Sequence, residues 1–159
     1  MTFPTQIIAV IAEELDKVPH VDQAVKRDLR PDDPNCIVSV VGGDWKPEDP
    51  EIGKSTFGAA HPASHGYYQI DIGLFVKMMG EEDGYALRND ITREIRDLVE
   101  TQSDLRNNLI GLEETGSLEN KETVRMMTVQ NQRTGTFRVD DTGDFAFFSM
   151  TELIVKVET

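Results

Sequence analysis

Residues 67–101 read YYQIDIGLFVKMMGEEDGYALRNDITREIRDLVET, and two hydrophobic patterns within them decide the fold class. In the first half, apolar residues occupy alternate positions: Tyr68, Ile70, Ile72, Leu74, Val76 and Met78. This alternation is typical of a β-strand with one buried face. After Gly80 and three acids, the apolar spacing changes to four, four and three: Leu87, Ile91, Ile95 and Leu98. The second pattern predicts an amphipathic helix, and we expect its apolar side to pack on the strand.

Weaker patterns on either side predict the remaining elements. We predict helices over residues 5–18, 21–29 and 103–109, and strands over 36–41, 123–130, 136–139 and 145–157. Gly42 and Gly43 are expected to end the first strand, and turns are expected at 131–135 and 140–144. The predicted class is α+β, a mainly antiparallel sheet of about five strands against two or more helices. The predicted order is α-β-loop-β-α-β-β-β, with the last three strands forming an antiparallel meander.

The chain of 159 residues predicts one domain, 1–159, with a long excursion over 42–66 that is rich in proline and glycine. Loops of this length inside a domain are uncommon and often functional. We therefore take the aromatic and histidine residues in and beside it as interface candidates: Trp45, Phe57, His61, His65 and Tyr67. Trp45 is the only tryptophan, and it anchors either this loop or a partner.

The composition and the short motifs argue against several kinds of site. His61 and His65 have a zinc-like spacing, but Pro62 and Gly66 place them in a loop without further ligands. The spacing of the acids at 140–144 does not provide the glycine and the terminal glutamate at the positions that a calcium loop needs. No catalytic motif is present, so we expect neither an enzyme nor a metal or cofactor site. The single cysteine, Cys36, is expected to be buried, and neither a signal peptide nor a membrane span is expected.

The formal net charge of −13, from 16 basic and 29 acidic residues, restricts the possible partners. Specific DNA binding needs lysine and arginine against phosphates, so such a surface is a poor match for it. Two interpretations stay open. The acids form either an ordinary solvated surface or a surface that DNA passes without adhering.

The order of elements resembles that of tailed-bacteriophage tail terminator proteins, also called neck or tail-completion proteins. The similar features are the N-terminal helix, the strand near 36–41, the long loop, the strand at 68–76 with its immediate helix, and the closing sheet at 147–157. The resemblance covers nearly the whole chain, although the 42–66 excursion is long for the family.

The resemblance implies a structural virion protein and no enzymatic activity. It implies a homo-hexameric ring that caps the tail tube, stops its polymerisation and contacts the head-completion or connector protein. Such a protein is made in the host cytoplasm and resides at the head–tail interface of the virion. DNA would pass through the ring without specific binding. Acids in loops are then candidates for the channel wall: Glu113, Glu114, Glu119, Asp140, Asp141 and Asp144.

Two alternatives accompany this interpretation. One is a head–tail joining (connector) protein of the adjacent ring. The other is a small cytoplasmic α+β binding or regulatory module, which the mass of the particle in solution would separate from a ring.

Overall fold

The computed structural model describes residues 2–47, 65–116, 121–138 and 145–159. In chain order the elements are α1 (Phe3–Leu15), β1 (Gln23–Val25), β2 (Cys36–Pro47), β3 (His65–Met79), α2 (Glu81–Glu100), α3 (Asp104–Leu109), β4 (Thr123–Arg138) and β5 (Phe145–Glu158). They confirm the predicted α+β class and, broadly, the predicted order of elements. The predicted helix at 103–109 is α3, and the Ser103 side chain caps it by accepting a hydrogen bond from the backbone N–H of Arg106.

The five strands form one mixed sheet in the order β1-β2-β3-β5-β4. β1 is parallel to β2, and the other pairs are antiparallel. The predicted strands 123–130 and 136–139 are a single strand, β4, that pairs with β5 along its length, so the predicted meander of the last three strands is wrong. The predicted turn at 131–135 is also wrong, because β4 continues through it as a single strand paired with β5. Pairing along the whole strand outweighs the turn preference of Asn131 and Gly135.

Two predictions for the N-terminal part also need correction. The segment 21–29 contains β1 and no helix, because residues 23–25 pair with β2. β2 does not end at the two glycines but runs on to Pro47, with a register shift between Gly42 and Asp44. Gly42 and Gly43 both have φ of 110°, which L side chains rarely adopt. Glycine here lets the strand bulge and continue.

The three helices of the described residues all pack on one side of the sheet, which we call the inner face. The main hydrophobic core lies there, between the helices and the alternate residues of the central strands. Its largest fully buried side chains include Ile7, Ile11, Leu15, Ile70, Ile72, Leu74, Ile95, Leu105, Leu109, Met127 and Phe147. Cys36 is buried as predicted, and burial raises the pKa of its thiol to about 11.

Helix α2 packs on the sheet as predicted, but its buried side is rotated from the predicted one. Ile91 and Ile95 are buried, whereas Leu87 and Leu98 are half-buried at the margin of the core. The line of closest approach passes through Gly84, where an added Cβ would lie 2.0 Å from the ring of Phe147. The helix therefore approaches the sheet at a position that the apolar spacing does not indicate.

A polar seam also joins α2 to the inner face. The hydroxyl of Thr92 donates to the carbonyl of Arg88 at 2.7 Å and lies 2.9 Å from the hydroxyl of Ser149. The amide of Gln132 donates to the Thr92 carbonyl at 3.2 Å and to the Thr151 hydroxyl at 3.0 Å. These bonds satisfy buried polar atoms and fix the position of α2 along β4 and β5.

Candidate functional site

The second side of the sheet, which we call the outer face, is not covered by the described helices. Residues directly opposed on neighbouring strands point to the same side, so the strand register defines the outer face. It includes Ile37, Ser39, Val41, Asp44 and Lys46 on β2, Tyr67, Gln69, Asp71, Gly73, Phe75 and Lys77 on β3, Ala146, Phe148, Met150, Glu152, Ile154, Lys156 and Glu158 on β5, and Thr123, Met126, Thr128, Asn131, Arg133 and Gly135 on β4.

The outer face carries apolar side chains that the chain itself only partly buries. Tyr67, Met150 and Ile154 are half-buried, and Met126 is 47% exposed. On the same strands the inner-face residues Ile70 and Leu153 are fully buried. The alternation of β5 therefore separates two apolar faces, of which the described helices cover only one.

One end of the outer face is covered by the segment 26–34. Asp33 accepts two hydrogen bonds from the guanidinium of Arg27, at 2.6 and 3.1 Å, and another from the backbone N–H of Arg30. The Arg27 hydrogen bonds are the main reason that the pKa of Asp33 lies at about 2. Ser39 donates to the Arg27 carbonyl and Lys77 to the Asp33 carbonyl, so both strands hold this segment down.

The centre of the outer face places two acids side by side. Asp71 on β3 is directly opposed to Glu152 on β5, an arrangement that is unfavourable for like charges. The polar contacts that reach them are long. Arg133 lies 3.6 Å from Glu152, and the amide of Gln69 lies 3.5 Å from Asp71. Within the described residues, the two carboxylates are therefore only weakly compensated.

The three predicted interface residues that the structure describes, Trp45, His65 and Tyr67, lie at one end of the sheet, but Trp45 and Tyr67 are on opposite faces. Tyr67 belongs to the outer face, where it is half-buried. Trp45 pairs with the inner-face residue Tyr68, packs its indole on Gly66 and remains 45% exposed. The backbone of His65 pairs with Glu158, while Phe57 and His61 lie outside the described residues.

Two of the six predicted channel-wall acids, Glu113 and Glu114, lie within the described residues. Glu113 is exposed and Glu114 is half-buried, and both lie beside the start of β4, where Glu113 bridges to Thr123. Glu119, Asp140, Asp141 and Asp144 lie outside the described residues. The described residues that flank 139–144, at the end of β4 and the start of β5, lie at the opposite end of the sheet.

Glu114 has a structural role as well. Its carboxylate accepts a hydrogen bond from the backbone N–H of Glu122 at 3.4 Å, and Glu122 accepts from the hydroxyl of Tyr68 at 2.6 Å. Burial, and then the bond to Glu122, raise the pKa of Tyr68 above its ordinary value. These contacts tie the segment before β4 to the inner face of β3.

No protein-family model and no curated protein matches this sequence.

The described residues also lack a metal-binding cluster and a membrane-spanning helix. They contain no group of three or more His, Cys, Asp or Glu side chains placed to hold a metal ion. None of the helices in this part of the chain is both long and apolar enough to cross a membrane.

The outer face is only partly visible in the sequence. In β5, Met150 and Ile154 alternate with Leu153, Val155 and Val157, and the structure places the first two on the outer face and the other three on the inner face. What the sequence does not state is that all three helices would choose the same side of the sheet. One feature of the sequence does point to a second covered face: β5 is apolar on both of its faces, whereas a strand with one face in water needs apolar residues on only one.

Proposed function

We propose that this chain is a structural virion protein, a tail terminator that forms a homo-hexameric ring on the phage tail tube. The ring would stop tube polymerisation and contact the head-completion or connector protein, while DNA passes through it. The observation that carries the proposal is the outer face, a broad and partly apolar surface beside a complete core. Such a surface is expected of a protein that packs against further copies.

The charge distribution supports the outer face as the place of self-association. Copies with a net charge of −13 repel one another over most of their surface. The outer face is different, because its four acids (Asp44, Asp71, Glu152 and Glu158) are matched by four bases (Lys46, Lys77, Arg133 and Lys156). Contact between copies through this face therefore carries the least electrostatic cost.

The same net charge supports the proposed passage of DNA. Duplex DNA carries about one phosphate charge per ~1.7 Å of axis when both strands are counted. An acidic ring repels the duplex at short range, over a Debye length of ~8 Å at physiological salt. It would therefore guide the genome through without holding it.

The mass of the particle in solution tests this proposal. Light scattering should give six times the 17.8 kDa mass of one chain, and electron microscopy should show a six-fold ring, alone or on the ends of tail tubes. The variant Ile154→Glu places a charge on the outer face, so it should keep the fold and lose the ring. A wild-type chain that stays monomeric, and is absent from tail ends, would contradict the proposal and favour a binding module.

A further inference from the structure

The charges on the outer face form a basic–acidic–basic pattern along the strands. Lys46 and Lys156 flank Tyr67 at one end, and the acidic pair Asp71 and Glu152 lies four residues along β5, about 13 Å away at ~3.3 Å per residue. Arg133 lies one cross-strand row further on, opposite Met150 and about 7 Å beyond the pair.

The exposed side of α2 carries the opposite pattern. Arg93 is exposed near the middle of the helix, with Asp90 three residues before it and Asp97 four residues after it. Residues at these spacings share one helix face. Glu100 continues the same line about 10 Å from Arg93, at ~1.5 Å per residue. All four residues are exposed, and Glu100 is already ion-paired with Arg96 at 3.1 Å, so it is Asp90, Arg93 and Asp97 that present an acidic–basic–acidic line to the surroundings.

These two surfaces lie on opposite sides of the molecule. The buried side of α2 packs on the inner face of the sheet, so its exposed side points away from the outer face. One copy therefore cannot join them, but two copies in a head-to-tail arrangement can. Contacts of this heterologous kind generate rings when they close.

We propose that the outer face of one copy receives the exposed side of α2 from the next copy, with Arg93 of that helix placed between Asp71 and Glu152. This inference rests on the proposed ring and names its contact. The helix would then cover the second face of the sheet, as the chain's own helices cover the first. The 20 residues of α2 span about 30 Å, within the roughly 46 Å of the 14-residue β5.

Electrostatics gives the contact its specificity. Asp71 and Glu152 repel each other in the isolated chain, and a guanidinium between them would convert that repulsion into attraction. Asp90 and Asp97 would approach the basic positions on either side. The exposed ring of Tyr85 on α2 and the exposed Met126 on the outer face provide apolar area at the margins.

A charge-reversal series tests the contact. We expect Arg93→Glu to raise the concentration needed for ring assembly at least about tenfold, because it places a third negative charge beside the acidic pair. Lys26→Glu makes the same change in net charge at an exposed site beside Glu13 of α1 and Asp16, away from α2 and from the acidic pair, and it should change that concentration less than about twofold. Adding Asp71→Lys to Arg93→Glu should restore assembly. Thermal unfolding of each variant confirms that the fold is retained.

The outcomes separate the contact from the proposed function. If the wild-type chain forms the ring and Arg93→Glu assembles as well as Lys26→Glu, the contact is wrong and the ring stands. If Asp71→Lys alone prevents assembly while Arg93→Glu does not, the outer face has another occupant, such as a second outer face, and the inference is overturned. A wild-type chain that never assembles contradicts both.

Discussion

The inner and outer faces of the sheet are made by the same central strands, but the described helices cover only the inner face. Ile70 and Leu153 on the inner face are fully buried by the helices, whereas Met150 and Ile154 on the outer face remain half-buried. Burial from water is what converts an apolar side chain into stability. The inner face therefore stabilises the single chain, and the apolar residues of the outer face contribute fully only when another surface covers them.

The largest expected difference between the faces is in the cost of truncating an isoleucine. Ile70→Ala removes a fully buried side chain of β3 and should lower the free energy of unfolding by ~2–5 kcal/mol. Ile154→Ala, on the neighbouring strand but on the outer face, should cost about 1 kcal/mol or less in the isolated chain. Urea unfolding of the monomeric chain at a fixed concentration measures both. Equal costs would show that the outer face is already covered.

The second comparison concerns two glycines. Gly84→Ala would place a methyl group against the Phe147 ring, so α2 or the ring must move, at a cost of roughly 1–3 kcal/mol. Gly73→Ala on the outer face meets Met150 at 3.6 Å and Ser39 at 3.8 Å, which are ordinary contacts. It should be neutral or slightly stabilising, because alanine reduces the entropy of the unfolded chain. Thermal unfolding checks the pair, and a destabilising Gly73→Ala would show that Met150 and Ser39, which pack around this buried glycine, do not make room for a methyl group.

A smaller effect is expected from two threonines. Thr92→Val keeps the shape of the side chain but removes its hydrogen bond to the Arg88 carbonyl and its contact with Ser149, at a cost of about 1 kcal/mol. Thr128→Val on the outer face should change the free energy of unfolding by no more than about 0.5 kcal/mol. Adding Ser149→Ala to Thr92→Val should cost less than the sum of the single changes, since the two hydroxyls share one contact. Strict additivity would mean that they act independently.

Local periodicity predicted the elements whose pattern agrees with their tertiary environment. The strand at 67–79 and the helix after it have one apolar side each, and both elements are confirmed. The errors arose where non-local pairing determined the structure. β1 is only three residues long and exists because β2 lies beside it, while β4 passes through its turn-like residues because β5 pairs with it on both sides of Gly135.

The outer face was less predictable than the fold, for a physical reason. Alternation in a strand shows which residues share a face, but not which face a distant helix will cover. The opposition of Asp71 and Glu152 depends on the register of two strands separated by about 70 residues, which no local pattern contains. By contrast, Tyr67 could be predicted as an interface residue from the sequence, because it follows the long 42–66 excursion directly.

The smallest expected effect concerns the segment 26–34, which covers one end of the outer face, and it appears only in acid. The pKa of Asp33 is about 2 in the folded chain, below the ~3.9 of an unfolded aspartate, because its carboxylate accepts hydrogen bonds from Arg27. A lowered folded pKa stabilises the fold above the unfolded pKa, and that contribution disappears as the pH falls through about 4 to 2. Asp33→Asn should therefore be less stable than the wild type at pH 7, and the difference in urea midpoint should shrink across this window. Asp32→Asn, at an exposed neighbour, should show no such convergence. A difference for Asp33→Asn that stays constant down to pH 2 would mean that packing, not the charge of the carboxylate, holds the segment on the outer face.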